Sequence, residues 1–305
     1  MTNAAGIGLD IGASKTLGVL TDELGQVLAQ VLVPTRPGAD GVLATAVEVV
    51  TELRAQTRAQ LWPVGIGVPG LVDVEQGEVR HAVNLDLDGT SLPLAAELES
   101  RLGLPVLVEN DVNAASIGAT SLLPHGVRRD LAYISIGTGF AAGLVLDGHL
   151  RRGAHGAAGE IGHIPIDPSG LLCACGLRGC LETVASGSAL ATAWPGTDGV
   201  PAAVAVFEAA AAGDQKAIMV RDGFAAAVAA GVRLLCLSVD VEVVVIGGGV
   251  AQVGDPLRSA VADALRGQAD SSGFLASLEL AERLTLVPAD YPVAAIGAAL
   301  LGRPA

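Results

Sequence analysis

Basic side chains are scarce in this chain of 305 residues. Its 18 Lys and Arg residues face 32 Asp and Glu residues, which gives a net charge of -14. Proteins bind nucleic acids by neutralising phosphates with positive side chains, so we expect no nucleic-acid partner. The apolar runs are short and interrupted by Gly, Pro or charge, and no charged segment followed by an apolar one opens the chain. We therefore expect a cytoplasmic protein with no membrane partner.

Cysteine is scarce as well, with four residues in the chain. Cys236 lies in the apolar helical pattern "VRLLCLSVD", which predicts a buried core position. The other three lie within residues 159–182, "GEIGHIPIDPSGLLCACGLRGCLE". Because thiols stay reduced in the cytoplasm, clustered cysteines there indicate a metal or catalysis before a disulfide.

The sequence also lacks a linker, a low-complexity segment, a Walker A motif and a complete GxGxxG fingerprint. Short β-prone apolar runs alternate with stretches that favour helices, at 41–60, 92–102, 111–123, 199–212 and 215–237. This pattern predicts an α/β protein. Segments 7–12, 17–22 and 27–34 follow one another too closely for helices between them, so they predict an antiparallel meander.

Two stretches of the chain resemble each other at an offset of 125 residues: "LDIGASKTLGVLTD" at 9–22 and "ISIGTGFAAGLVLD" at 134–147. Each predicts a strand, a Gly-containing turn and a second strand, a geometry that directs backbone N–H groups towards an anion. Two such halves would place two phosphate-binding turns at one nucleotide. The alternative is a chance similarity between two Gly-rich hairpins.

The candidate nucleotide residues lie in three Gly-containing turns. The first offers Asp10, Gly12, Lys15 and Thr16; the second offers Gly137, Thr138 and Gly139; "IGGGVA" at 246–251 offers Gly248 and Gly249. Asp10 could hold a hydrated Mg²⁺ on a polyphosphate, because Mg²⁺ uses few carboxylates and keeps its waters. The alternative for Asp10 is a turn-capping role, and Gly clusters after strands mark many turns that bind nothing.

A carboxylate suited to catalysis follows the apolar strand in "PVLVENDVNAASIGA". Phosphoryl transfer to an alcohol needs one carboxylate that accepts the hydroxyl proton, and Asp111 fits this role at a strand end. Asn110 can both donate to and accept from a sugar hydroxyl. The alternative is that Asp111 only caps the helix that follows.

The cysteine stretch supplies four ligand types that zinc prefers: His163, Cys173, Cys175 and Cys180, spaced H-x9-C-x-C-x4-C. With all four positions filled, the predicted zinc is structural, and oxidisable structural thiols are the alternative. Glu160 and Glu182 flank the cluster and would lie on the surface that it orders, unless they are solvated loop charges. The second ring nitrogen of His163 would be available to a ligand or a carboxylate.

Together these motifs resemble the ROK proteins, named for repressor, open reading frame and kinase, within the actin/hexokinase-like sugar kinases. The motifs are "DIGASKT", "GIGVPG", "ENDVNA", "SIGTGFAAG", "GEIGH…CACGLRGCLE" and "VIGGGVA", spread over essentially the whole chain. The resemblance implies two ribonuclease-H-like α/β domains with a ligand cleft between them. It places the first domain at 1–117, completed by a helix at 291–305, and the larger zinc-binding domain at 118–290. It also implies a homodimer.

The resemblance further implies an enzyme that uses ATP with Mg²⁺ to phosphorylate an aldohexose at its 6-hydroxyl, glucose by default. Asp111 would be the catalytic base, and the sugar would be held by Asn110, Asp111, Glu160, His163 and Glu182. Gly12, Thr138 and Gly139 would line the phosphates, and Gly248 with Gly249 the adenosine. The segment 81–89 resembles one that closes near the sugar.

Two departures concern the phosphate turns: Ala13 stands where the family commonly has a second Gly, and "GTGFAAG" replaces the frequent "GTGIGGG". Because of these departures, the motifs define the phosphoryl donor, ATP or polyphosphate, less closely than they define the sugar site. The alternatives are an N-acetylglucosamine or N-acetylmannosamine kinase and a sugar-responsive regulator or sensor. We expect no helix-turn-helix domain, since the first phosphate strand begins by residue 7.

Overall fold

The computed structural model of the protein describes residues 4–87, 91–124, 130–196 and 199–303. Two compact units divide the chain. The first comprises Met1–Val127, Arg152–Gly156 and Tyr291–Ala305, and the second comprises Arg128–Arg151 and Ala157–Asp290. Each unit therefore combines stretches that are distant in sequence.

The first unit is built on a mixed β-sheet. Its elements in chain order are β1 (Ala4–Ile11), β2 (Lys15–Thr21), β3 (Val27–Pro34), α1 (Ala39–Ala55), β4 (Gln60–Leu61), β5 (Val64–Val68), β6 (Leu71–Asp73), β7 (Glu78–Arg80), α2 (Leu94–Leu102), β8 (Val106–Asn110) and α3 (Asp111–Ala119). The main sheet has the order β3-β2-β1-β5-β8, with β4 beside the start of β1. Strands β1 to β3 pair antiparallel, which confirms the predicted meander, and β1, β5 and β8 run parallel.

The second unit repeats this topology. Its elements are β9 (Leu131–Ile136), β10 (Phe140–Leu146), β11 (His149–Leu150), α4 (Glu182–Ala185), α5 (Gly187–Ala193), α6 (Ala202–Ala211), α7 (Gln215–Val239), β12 (Val243–Gly247), α8 (Asp255–Ala269), α9 (Gly273–Ala276) and β13 (Leu284–Leu286). The sheet order is β11-β10-β9-β12-β13, again with three antiparallel strands followed by parallel ones. Its core is one apolar cluster between the sheet and α6, α7 and α8.

The predicted internal similarity corresponds to two hairpins whose turns have the same length. Strand β1 ends at Ile11 and β9 at Ile136, while β2 begins at Lys15 and β10 at Phe140, each pair 125 residues apart. Both turns close on a glycine: the Gly12 N–H donates to the Lys15 carbonyl at 3.0 Å, and the Gly137 N–H donates to the Gly139 carbonyl at 3.1 Å. The two Gly-containing turns thus occupy equivalent places in two sheets of one topology.

The last helix, α10 (Val293–Leu301), packs on the sheet and on α3 of the first unit through small residues. A Cβ added at Gly8 or Gly65 would overlap the backbone of α10, and one added at Gly297 would overlap the backbone of α3. Only glycine permits this separation, because any side chain would force the two backbones apart. The close packing fixes the position of α3, the helix that begins at Asp111.

By length and composition alone, one helix of the described residues, α7, could cross a membrane, and half of its most apolar window is buried in the protein. Phe224, Val228, Val232 and Leu235 of α7 belong to the core of the second unit. Cys236 is buried in the same cluster, as predicted. The apolar composition of α7 is therefore that of a core helix.

Candidate active site and metal centre

The first unit carries Asp111 where β8 passes into α3. The prediction left open whether Asp111 caps this helix, and the structure assigns the cap to Asn110. Oδ1 of Asn110 accepts from the N–H groups of Val112 at 2.9 Å and Asn113 at 3.2 Å, and its Nδ2 donates to the Gly70 carbonyl at 3.3 Å. Oδ1 of Asp111 accepts from the Val112 N–H at 2.9 Å. A carboxylate in the first turn also has a favourable interaction with the helix dipole.

Asp10 lies near Asp111 because three parallel strands end at one edge of the sheet. In the register, Asp10 pairs with Gly67 and Gly67 pairs with Glu109, two residues before Asp111. Burial, and after it the charge of Asp111, raise the pKa of Asp10 to about 7 against the opposing effect of Lys15. Two carboxylates this close favour a proton or a cation between them. Asp10 and Asp111 therefore form the acidic centre of the first unit.

Glu109 and Arg152 are residues whose pairing the sequence analysis missed. Oε2 of Glu109 accepts from Nε of Arg152 at 2.7 Å, and the Glu109 side chain is 1% exposed. A glutamate at the end of a buried strand requires a partner, which is the signal that could have prompted a search for a basic residue. The partner is 43 residues away in sequence, and no local pattern identifies it.

The first Gly turn exposes only part of its predicted set. Gly12 is partly exposed and Lys15 is exposed, so both are accessible to an anion. Thr16 is fully buried, and its hydroxyl shares a 2.8 Å hydrogen bond with the hydroxyl of Thr35. The role of Thr16 in nucleotide binding stays a prediction. The buried position of its hydroxyl does not favour that role. Ala13, the departure from the family pattern, is exposed at the turn.

The second Gly turn lies against the start of α4. Thr138 is exposed, and Gly137 and Gly139 are partly exposed. Oε2 of Glu182 accepts from the Phe140 N–H at 2.9 Å, and a Cβ added at Gly139 would lie 2.5 Å from the same oxygen. The Gly187 N–H donates to the Gly137 carbonyl at 2.8 Å. Glu182 is thus held at the turn and is not a freely solvated loop charge.

The third Gly turn follows β12 in the second unit. Gly248 adopts φ 82°, a left-handed conformation, and a Cβ there would lie 2.5 Å from the Ile136 carbonyl oxygen. Gly249 is exposed, and an added Cβ there would meet no heavy atom within 4 Å. Gly248 is therefore required by the backbone, whereas Gly249 leaves open space beside the turn.

Four predicted metal ligands meet in the second unit. Nδ1 of His163 and the Sγ atoms of Cys173, Cys175 and Cys180 all lie within 4.8 Å of one another. Sγ of Cys173 is 3.6 Å from Nδ1 of His163, and Sγ of Cys175 is 3.6 Å from Sγ of Cys180. A tetrahedral zinc with bonds of about 2.3 Å needs sulfur atoms about 3.7 Å apart. The donor set and its spacing therefore fit a four-coordinate zinc.

The backbone around the cluster is a tight knuckle. The Cys173 N–H donates to the Leu177 carbonyl at 2.8 Å, and the Gly176 N–H donates to the Cys173 carbonyl at 2.9 Å. Burial and the neighbouring thiols raise the pKa of Cys180 to about 12, whereas the backbone hydrogen bond at Leu177 lowers the pKa of Cys175. A bound cation would favour the thiolate form of Cys180, which burial disfavours.

The two nitrogens of His163 face different groups. Nδ1 points to the cysteines, and Nε2 lies 4.0 Å from Oε2 of Glu160. The side chains of His163 and Glu160 are 40% and 55% exposed. They are therefore accessible to a ligand beside the cluster. Of the segment 81–89, Asp88 and Gly89 lie outside the described residues.

The fold and the site together define an actin/hexokinase-like α/β protein with two units of related topology. The chain belongs to the ROK family, whose sequence profile matches residues 6–301. The chain is 34% identical to a glucokinase of Thermotoga maritima over 278 residues, 84% of this chain and 87% of that protein. It is 33% identical to an N-acetylmannosamine kinase of Yersinia pestis over 246 residues, 80% of this chain and 83% of that protein.

The fold is also similar to a solved member of the family. A ROK family glucokinase from Streptomyces griseus, in complex with glucose and AMPPNP, has a TM-score of 0.79 and 32% identity. The match covers 98% of this chain and 99% of that chain. The resemblance drawn from the motifs is therefore confirmed at the level of family and fold.

Proposed function

We propose that this chain is a hexokinase of the glucokinase type, which transfers the γ-phosphoryl group of ATP to the 6-hydroxyl of an aldohexose, glucose by default. The observation that carries the proposal is the position of Asp111, partly exposed at a strand end beside a second carboxylate. The similarity to glucokinases over more than four fifths of the chain supports the same reaction.

In this reaction Asp111 accepts the proton of the sugar 6-hydroxyl as its oxygen attacks the γ-phosphorus. The bond from the γ-phosphorus to the oxygen that bridges it to the β-phosphorus breaks, and ADP leaves with that oxygen. The hydrogen bond from the Val112 N–H to Oδ1 orients the carboxylate for the transfer. We assign the sugar ring to Asn110, Glu160, His163 and Glu182.

We assign the phosphates to Gly12, Lys15, Gly137, Thr138 and Gly139, and the adenosine to Gly248 and Gly249. Thr16 is kept only as a backbone contributor, because its hydroxyl is buried. Asp10 is the carboxylate available to the waters of Mg²⁺, which would neutralise phosphate charge when ATP is bound. A structural zinc would be held by His163 Nδ1 and the three thiolates.

Further parts of the proposal concern the whole protein: a cytoplasmic homodimer with sugar and ATP as partners. The predicted domain limits, 1–117 with 291–305 and 118–290, also stay a proposal. They differ from the compact units in the assignment of residues 118–127 and 152–156. Limited proteolysis and sedimentation of the purified protein would test both parts.

The test of function is a coupled ADP-release assay with ATP and Mg²⁺ over a panel of hexoses, run on wild type and Asp111→Ala. We expect hexose-dependent ADP release, highest with glucose, that disappears in the variant. Wild-type protein that binds a sugar but releases no ADP above background with any of them would contradict the enzyme and favour a sensor.

The relative from Yersinia pestis supports a second candidate, an N-acetylmannosamine kinase. The same panel separates the two when it includes N-acetylmannosamine and N-acetylglucosamine. The glucokinase proposal requires kcat/KM for glucose to exceed that for either N-acetylated sugar, and the opposite order would select the second candidate.

A further inference from the structure

Glu109 is unusual among the ionisable side chains. Within the described ranges, its exposed fraction of 1% is the smallest of any Asp, Glu, Lys, Arg or His residue. A buried carboxylate costs stability unless it is paired and hydrogen-bonded. Glu109 meets this condition with three donors: the Asn110 N–H at 3.0 Å and Asn113 Nδ2 at 3.0 Å on Oε1, and Arg152 Nε at 2.7 Å on Oε2.

The partner Arg152 comes from a short excursion of the chain. It begins the segment Arg152–Gly156, which belongs to the first unit although the residues before and after it belong to the second. The same stretch leads within four residues of its end to Glu160. The Arg152 side chain is 39% exposed, so Glu109 is the buried partner of the ion pair.

The ion pair continues into the residues that orient Asp111. Oε1 of Glu109 binds both the Asn110 N–H and the Asn113 side chain, and Asn110 in turn accepts from the N–H groups of Val112 and Asn113. The Val112 N–H also donates to Asp111. If Arg152 is removed, Oε2 loses its donor, and the carboxylate is free to rotate away from the two groups that Oε1 holds.

We infer that Arg152 is a positioning residue for Asp111, which acts by holding the Glu109 carboxylate in the orientation that fixes the first turn of α3. The inference rests on the proposed role of Asp111 as the catalytic base. The proposed action of Arg152 runs through its hydrogen-bonded partner Glu109 and not through the reacting atoms. Its effect is therefore expected on the chemical step more than on nucleotide affinity.

The test compares Arg152→Met with Arg151→Met in the full chain. Arg151 is the adjacent residue and also pairs with a carboxylate, Asp147 at 3.1 Å, but both side chains are exposed. For R152M we expect kcat to fall about 10- to 100-fold, because small misplacements of reacting groups have effects of this size. The KM for ATP should change less than about twofold, and R151M should match wild type in both constants.

A second readout does not depend on activity: hydrogen exchange of the backbone amides in 106–119, followed by mass spectrometry. R152M should exchange at least about fivefold faster there than R151M and wild type, since local opening releases the Asn110, Val112 and Asn113 N–H groups. If R152M does not fold, Arg152→Lys replaces it under the same criteria, because Lys keeps the charge but not the planar guanidinium.

A folded R152M with wild-type kcat, or with a kcat loss no larger than that of R151M, overturns the inference. A loss explained fully by the unfolded fraction at the assay temperature also overturns it. If wild type shows no hexose-dependent turnover, the proposed function fails, and the exchange comparison alone decides whether Arg152 orders the start of α3.

Discussion

The two units hold their candidate functional residues by different means. In the first, Asp10 and Asp111 lie at the ends of parallel strands, where Asp111 accepts a backbone hydrogen bond and the neighbouring Glu109 is paired with Arg152. In the second, Glu160 and His163 lie on an irregular stretch beside a cluster of four candidate metal ligands, His163, Cys173, Cys175 and Cys180. The first arrangement is supported by regular elements, and the second would be held by the proposed metal.

This difference matches a division in which the proposed proton acceptor lies in the first unit and the proposed sugar-binding residues Glu160 and His163 lie in the second. A proton acceptor must be placed accurately, and strand ends with a packed helix provide that accuracy. The stretch that carries Glu160 and His163 is made of short turns and not of a regular helix or sheet, so a bound metal would supply folding energy directly. Perturbing the first unit should therefore change kcat, and perturbing the cluster should change sugar binding and stability.

The largest effect is expected for Asp111→Asn. The amide keeps an oxygen for the Val112 N–H but cannot accept the hydroxyl proton, so kcat should fall about 10²- to 10⁴-fold with sugar affinity nearly unchanged. Steady-state kinetics and calorimetric sugar titration measure the two. Asp22→Asn is the matched control, because Asp22 caps an exposed turn through the Leu24 and Gln26 N–H groups. A D111N variant whose kcat is within tenfold of the wild-type kcat would contradict the assignment of catalysis to the first unit.

The next effect is expected for Cys175→Ser, which removes one thiolate from the cluster. Metal analysis should show zinc falling well below one ion per chain. The KM for the sugar should rise and the melting temperature should fall in the same variant. Cys236→Ser changes the one cysteine outside the cluster and should leave zinc content unchanged. Zinc that is absent from reduced wild-type protein would remove the metal from the account.

A smaller effect is expected for Gly139→Ala. The added methyl would approach the Glu182 carboxylate to 2.5 Å, so the turn or Glu182 must shift. We expect the KM for ATP to rise about three- to tenfold, consistent with a modest overpacking cost. Gly267→Ala in α8 is the control outside the Gly-containing turns, because its added Cβ would meet no heavy atom within 4 Å. Equal effects of the two substitutions would argue against the contact with Glu182.

The remaining prediction concerns the dependence of stability on pH and not the kinetics. Burial and Asp111 raise the pKa of Asp10 from 3.8 to about 7, so the folded protein favours the protonated form, and ionisation lowers stability as pH rises through this range. At pH 8.5, the free energy of unfolding of Asp10→Asn should therefore exceed that of wild type by at most about 4 kcal/mol. This difference in free energy should shrink towards pH 4. The measurement uses metal- and nucleotide-free protein. A difference in free energy of unfolding that grows on acidification would contradict the raised pKa of Asp10.

Much of the fold could be predicted from the sequence because its signals are local. The spacing of three β-prone runs predicted the meander, and the 125-residue offset matches the ends of the paired strands. Element ends were less accurate: the helix predicted at 41–60 ends at Ala55, and the chain at Gln60–Leu61 pairs with β1. The helix predicted from 92 begins at Leu94, after Pro93.

The site was predictable where ligand spacing is short and not where partners are distant. The His163 and cysteine spacing identified the cluster, because all four residues lie within one loop. The direction of Thr16 depends on strand register, which places its hydroxyl on Thr35. The capping role of Asn110 and the pair of Glu109 with Arg152 arise from tertiary contacts that the motif does not encode.

The central claim is that Asp111 deprotonates the 6-hydroxyl of a hexose for transfer of the γ-phosphoryl group. The most direct measurement is NMR of the product formed from ATP and glucose labelled with ¹³C at carbon 6. We expect a carbon–phosphorus coupling at carbon 6 with wild type and, at the same enzyme concentration and reaction time, at most about one hundredth of that product with D111N. No phosphorylated hexose from wild type with any sugar of the panel, or a phosphate on another carbon, would contradict it.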